Sequence, residues 1–173
     1  MTAPRRNIEL KARCPDPPFV RRALELLDAR HARTMTQLDT YFPVPQGRLK
    51  LREIDSAAAA ELIWYGRADT TEFKSSLYHV VPVPDPALLK ATLIAANGLR
   101  GEVRKTRELW LFHNVRIHLD TVDHLGDFIE FEAVMRDEIS DEPSQARLHQ
   151  LKTALQIHAS DIECASYSDL LGL

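Results

Sequence analysis

Charged side chains recur at every second position through several short segments of this chain. In the stretch NIELKAR, Asn7, Glu9, Lys11 and Arg13 alternate with Ile8, Leu10 and Ala12. Successive side chains of a strand point to opposite faces, so the four polar groups share one face. GRLKLRE repeats the arrangement, with Arg48, Lys50 and Arg52 opposite Leu49 and Leu51. In VRIHLDTV, Arg116, His118 and Asp120 alternate with Ile117 and Leu119, and in DFIEFEAVM, Glu130 and Glu132 alternate with Ile129, Phe131 and Ala133. GEVRKTREL puts Val103, Lys105, Arg107 and Leu109 on one side and Arg104, Thr106 and Glu108 on the other. A single strand of this kind ordinarily marks a sheet face in water. Several of them, dense in Lys and Arg or in paired Glu, ask for another arrangement.

The remaining segments supply it. Further strand-like runs are QLDTYF, ELIWYGRA and KSSLYHVVPV, which bring the total to eight, in the order strand, helix, four strands, helix, three strands, helix. Three helices are expected. DPPFVRRALELLDARHAR opens with Asp16 as N-cap and prolines in the first turn, and DPALLKATLIAANG opens with Asp85 and Pro86 and stops at Gly98. EPSQARLHQLKTALQIHA places Leu148, Leu151 and Leu155 on one stripe. Eight strands suffice to close a barrel without free edges. If their apolar faces turn outward beneath the helices, the charged faces line the lumen. The reading is an α+β fold: an eight-stranded antiparallel barrel with a charged lumen and helices on its outside, residues 1–173 forming one domain. Both halves carry a similar succession of helix and strands, a hint of internal duplication.

The proposed lumen collects Lys11, Arg13, Arg48, Lys50, Arg52, Arg67, Lys74, Lys105, Arg107 and Arg116 against Glu9, Asp120, Glu130 and Glu132. The rest of the chain is correspondingly acidic, because the whole sums to a net charge of -3. Crowded cations repel one another and are costly to desolvate, so such a lumen wants a multiply charged anion. Lys supplies point charge, and the planar Arg fork fits phosphate oxygens. Carboxylates in the same cavity are what Mg²⁺ or Mn²⁺ needs, since hard cations take oxygen ligands and share their shell with phosphate. The residues thus point to a metal-dependent polyphosphate site inside a barrel. An acidic exterior argues against extended nucleic-acid contact, leaving at most RNA 5′-triphosphate ends. Two cysteines, Cys14 and Cys164, make no metal or disulfide pattern. With no apolar run of membrane-spanning length and no apolar stretch behind MTAPRR, a cytoplasmic protein is expected.

NIELKAR resembles the Glu-x-Glu-x-Lys signature that opens the CYTH, or triphosphate tunnel metalloenzyme, superfamily. GRLKLRE, VRKTRELW, RIHLDTVDHLGDFIEFEAV and SYSDLLG resemble its class IV adenylate cyclase-like branch in order and spacing, from Asn7 to Leu171. The resemblance implies a triphosphate tunnel whose chemistry is that of a cyclase or a triphosphatase. It implies Mg²⁺ or Mn²⁺ held by Glu9, Glu130 and Glu132, with Asn7 and Asp120 as further oxygen donors. Phosphates would be gripped by Lys11, Arg48, Lys50, Arg52, Arg67, Lys74, Lys105, Arg107 and Arg116. Lys11, Glu130 and Glu132 would carry the catalysis, with His118 assisting or making a structural hydrogen bond. Relatives in this branch can pair as dimers, so a homodimer is within expectation. The departure is Asn7, which stands where the signature has its first Glu. An amide brings no charge, so a second reading is a non-catalytic nucleotide or polyphosphate binder with a weakened metal site. Tyr65 and Tyr78 can face the lumen and contact a base, with core or rim packing the preferred expectation, and Trp64 and Trp110 are expected on the outer face.

Overall fold

The structure, a computed structural model, describes residues 5–55, 59–67, 73–135 and 141–173, and the side chains of these except Arg5, Arg67, Lys74 and Asp141. Strands β1 (Arg5–Arg13), β2 (Arg30–Phe42), β3 (Arg48–Ile54), β4 (Ala59–Arg67), β5 (Lys74–Pro82), β6 (Gly101–Phe112), β7 (Val115–Val122) and β8 (Gly126–Val134) close into one barrel. Its order is β1-β5-β4-β3-β2-β6-β7-β8, antiparallel throughout. Two meanders make it up. One runs β2 to β5; the other runs β6 to β8 and ends on β1, and the seams are β2 with β6 and β1 with β5.

The core lies outside this barrel. Ile8, Leu10 and Ala12 of β1, Ile117 and Leu119 of β7 and Ile129 and Phe131 of β8 are buried together with two helices. Helix α1 (Pro17–Leu26) contributes Val20 and Leu24, and α3 (Asp141–Ala154) contributes Leu148 and Leu151. Trp110 belongs to the same outer cluster, as expected, while Trp64 lies on the outside of β4 with its indole donating to Gln46 O at 3.0 Å. Helix α2 (Pro86–Asn97) rests Leu89 and Leu93 against Phe42 and Leu51 on the other half. No helix among the described residues is long and apolar enough to cross a membrane.

Local signals set the first two helix starts. Asp16 accepts from Phe19 N at 2.9 Å and Asp85 from Leu88 N at 3.0 Å, each ahead of a proline at the first helical position. Gly98, at φ 83°, ends α2 in a conformation that glycine adopts without cost. The first helix is shorter than the sequence suggests. It stops at Leu26, Asp28 turns at φ 57°, and the run expected to continue it, beginning at Arg30, becomes the start of β2. The ladder to β6 explains the difference, because from Arg30 to Tyr41 the backbone finds partners on a long neighbouring strand. Beyond β8, η1 (Ala159–Asp161) leads to a last short helix, α4 (Tyr167–Leu170), at one barrel mouth. There Tyr41, Val103, Val122, Phe128 and Tyr167 form an apolar plug together with leucines of the C-terminus.

Candidate anion and metal site

The inward faces of the strands enclose a cavity of about 320 Å³. Its walls are the alternate residues already singled out, because the two-residue period that buries Leu and Ile outside leaves Lys, Arg and Glu inside. Two halves of its basic wall are built alike, on the strands that flank β2. On β3, Lys50 Nζ reaches Asp39 Oδ2 at 2.8 Å, and Arg52 grips both Asp39 oxygens at 2.7 Å. On β6, Lys105 Nζ reaches Asp120 Oδ2 at 3.1 Å, and Arg107 grips Asp120 at 2.6 and 2.5 Å. Each Lys-x-Arg pair is thus held by one carboxylate from a neighbouring strand, and Asp39 is 0% and Asp120 1% exposed.

Burial alone would push both carboxyls up. For Asp39, the charges of Arg52 and Lys50 more than offset it, and for Asp120, those of Arg107 and Lys105 do the same, so both lie well below the ordinary carboxylate range. The lysines move the other way. Burial and then Arg52 push Lys50 down to about 7, against the pull of Asp39, and burial and then Arg107 lower Lys105.

Around β8 lies the acidic wall. Glu130 meets Arg107 at 2.8 Å and Lys11 at 3.5 Å, and Glu132 meets Arg116 at 2.7 Å. Lys11 also donates to Ala165 O at 2.9 Å and stands 4.1 Å from the centre of the Tyr167 ring. His118 Nδ1 sits 3.8 Å from an oxygen of each glutamate, buried and without a hydrogen bond. His118, Glu130 and Glu132 offer ligand atoms within 4.8 Å of one another. Burial, followed by Arg107, lowers the His118 pKa, which keeps the imidazole neutral with a free lone pair at neutral pH. Burial raises both glutamates, but the charges of Lys11 and Arg107 for Glu130 and of Arg116 and Arg107 for Glu132 more than offset it, so both are ionised. An orphaned buried nitrogen facing two carboxylates fits a divalent cation. Two more buried polar atoms on the cavity lack partners, Gln37 Oε1 and Arg116 Nε, as befits a wall shaped to meet a ligand.

The expected residues distribute unevenly over this site. Lys11, Lys50, Arg52, Lys105, Arg107, Arg116, Glu130, Glu132 and His118 all line the cavity. Glu9 lines it too, across from Glu132 in the β1–β8 register but outside the 4.8 Å cluster. Asn7 lines the cavity as well: in the orientation its neighbours favour, its amide donates to Arg6 O at 3.1 Å and accepts from Arg116 Nη2 at 3.3 Å. Asp120 serves the basic pair, with Tyr167 OH donating to it at 3.0 Å. Arg48 turns to Asp169 at 2.9 Å, and the exposed Arg13 donates to Leu125 O at 3.2 Å. Arg67 and Lys74 stand opposite Ser76 and Glu9 in their ladders, and their side chains are outside the described ones. Tyr65 and Tyr78 line the cavity, the lumen-facing placement of the two expected of them rather than the preferred core or rim packing.

Sequence reasoning missed Asp39, Glu61, Arg33 and Tyr167 on the cavity side, and with Asp39 and Glu61 inward the lumen is less basic than the strand patterns alone suggest. A signal existed for Asp39: in QLDTYF, Gln37, Asp39 and Tyr41 share one face opposite Leu38. For Tyr167, which arrives from α4, the pointer was the SYSDLLG motif, to which no place in the lumen was attached.

The sequence profile of the CYTH domain matches residues 5–167. No curated protein sequence matches the chain. Among solved structures, a Pyrococcus horikoshii protein superposes with a TM-score of 0.82 at 23% identity, over 95% of this chain and 98% of its own. A candidate adenylate cyclase from Vibrio parahaemolyticus gives 0.77 at 19% identity, over 99% of this chain and 100% of its own. A candidate adenylyl cyclase from Hippeastrum, described as having a dominant triphosphatase activity, gives 0.67 at 16% identity, over 95% of this chain and 93% of its own. At these identities the likeness is one of fold.

Proposed function

The chain belongs to the CYTH domain family, and from that premise we propose that it binds a triphosphate compound inside the barrel and breaks a phosphoanhydride bond in it. The observation that carries the reading is the pair of Lys-x-Arg units, Lys50 with Arg52 and Lys105 with Arg107, each oriented by a buried aspartate. Guanidinium groups held this way offer their remaining N–H donors to an anion without losing side-chain freedom on binding. Lys11 and Arg116 extend the grip towards the acidic wall.

Glu130, Glu132 and His118 would hold a divalent cation, Mg²⁺ or Mn²⁺, which when bound draws charge from phosphate oxygens and adds Lewis acidity. The chain's own groups do the rest. Lys50, Arg52, Lys105 and Arg107 orient the phosphate chain and stabilise charge on the leaving phosphate, the usual role of cations in phosphoryl transfer. The attacking oxygen is that of water in a triphosphatase and the substrate's own ribose hydroxyl in a cyclase.

Phosphorus NMR of the protein with ATP or with tripolyphosphate, each with Mg²⁺ or Mn²⁺, tests the proposal. Product is expected, either pyrophosphate with cyclic AMP or released orthophosphate, and Glu130→Gln is expected to slow it by at least ~10-fold, the lower end of what disturbing the surroundings of a metal ligand costs. Unchanged ligand spectra with both compounds would overturn it. Line-broadening without product would favour the second reading, a non-catalytic binder. That reading draws on Asn7 and on the cations that already neutralise Glu130 and Glu132.

A further inference from the structure

The C-terminal segment does more than close one end of the barrel, since Ser166 and Tyr167 line the cavity. It first runs beside β1: Ala12 bridges Ile162, and Glu163 N donates to Lys11 O at 2.9 Å. The Lys11 side chain follows the segment inward, Nζ donating to Ala165 O at 2.9 Å. Two residues further on, the Tyr167 ring centre stands 4.1 Å from Lys11 Nζ and 4.9 Å from Lys105 Nζ. These lysines come from β1 and β6, which are not neighbours in the barrel. All three residues are at most 4% exposed. The ring itself is fixed: Phe128 meets it edge-on at 5.0 Å, and its hydroxyl donates to Asp120 Oδ2 at 3.0 Å.

An aromatic face attracts ammonium groups, and does so more strongly where water is excluded. Lys11 has a competing partner in Glu130, at 3.5 Å, a separation longer than an ordinary hydrogen bond. The ring and the Ala165 carbonyl hold the ammonium short of that carboxylate. Without the ring, Lys11 closes on Glu130 and has less charge to give an incoming anion. We propose that Tyr167 is a positioning residue, whose ring face holds Lys11 and Lys105 together where they meet a phosphate chain. The proposal rests on the triphosphate reading above and adds to it a residue that acts through two cations. The hydroxyl is secondary, because Lys105 and Arg107 already hold Asp120 by their own hydrogen bonds.

Tyr167→Phe keeps the ring, and Tyr167→Leu removes it. Side-chain NMR of the ligand-free protein reads the placement, because a proton over an aromatic face resonates upfield. In the wild type and the Phe variant, the methylene protons beside Nζ of Lys11 and Lys105 are expected upfield of those of Lys90 and Lys152. In the Leu variant they are expected to return among them. Isothermal titration with tripolyphosphate, in EDTA, is expected to leave the Phe variant within about threefold of wild type. The Leu variant is expected to lose about tenfold or more, the scale of a desolvated cation–π contact. If the Leu variant fails to fold, the Phe variant still decides: retained shifts and affinity support the ring, and their loss overturns it. Unshifted lysines in the wild type, or a folded Leu variant that binds as tightly as wild type, would also overturn the proposal and leave the triphosphate reading standing. If tripolyphosphate does not bind the wild-type protein, both fall.

Discussion

Asp39 is the residue on which the basic wall most depends. It is fully buried, and its two oxygens satisfy Lys50 and Arg52 at once. Removing one member of a buried ion group strands the others, at a typical cost of about 3–5 kcal/mol. Asp39→Ala is therefore expected to lower unfolding stability by about that amount in urea titrations. A loss under ~1 kcal/mol would mean that water or a shifted side chain replaces it. Lys50 gives the site a pH response. Its pKa is pushed down to about 7 in the free protein, and a bound polyanion favours the protonated ammonium. Binding then takes up a proton above pH 7, so tripolyphosphate affinity is expected to fall as pH rises from about 7, by at most ~tenfold per unit. Lys50→Arg, which does not titrate in this range, is expected to remove that part of the slope. An identical slope in the variant would assign the proton to the ligand or to another group.

Among the elements, α4 is the one that ties the C-terminus into the barrel. Ser166 and Asp169 cap it reciprocally, Arg48 and Arg100 hold Asp169 at 2.9 and 2.7 Å, and Tyr167 reaches Asp120 in the lumen. Burial raises the Asp169 pKa, but the Ser166 hydrogen bonds and the charge of Arg48 more than offset it and bring it to about 2. A carboxyl depressed on folding contributes stability above its unfolded value, near 4, and that contribution disappears as pH falls through the folded value. The C-terminal plug is thus expected to loosen between about pH 4 and pH 2, seen as faster amide exchange at Leu170 and Leu171, whose N–H groups close the helix. Asp169→Asn should flatten that dependence; a plug that opens over the same range without Asp169 would put the titrating group elsewhere. The first two helix starts were legible as Asp-Pro caps. The end of α1 was not, since only the ladder with β6 converts Arg30 onward into strand.

At the scale of the whole molecule, segregation of apolar from charged residues is what makes an inverted barrel possible. Hydrophobic burial under α1 and α3 supports the fold from outside, which leaves the interior able to carry ion pairs instead of a packed core. The amino-acid sequence by itself determined which residues share a face, because side-chain alternation is a property of the backbone at each strand and needs no neighbour. It also determined the helix caps and the ordered motifs by which the family resemblance was recognised. Only the tertiary structure decided which strands are adjacent, and hence that Asp39 serves β3, that Asp120 serves β6, and that His118 faces Glu130 and Glu132. It likewise decided that Tyr167 closes one end of the barrel. These contacts join residues far apart along the chain, 121 positions for Arg48 and Asp169, and they exist only once long-range hydrogen bonding has closed the barrel.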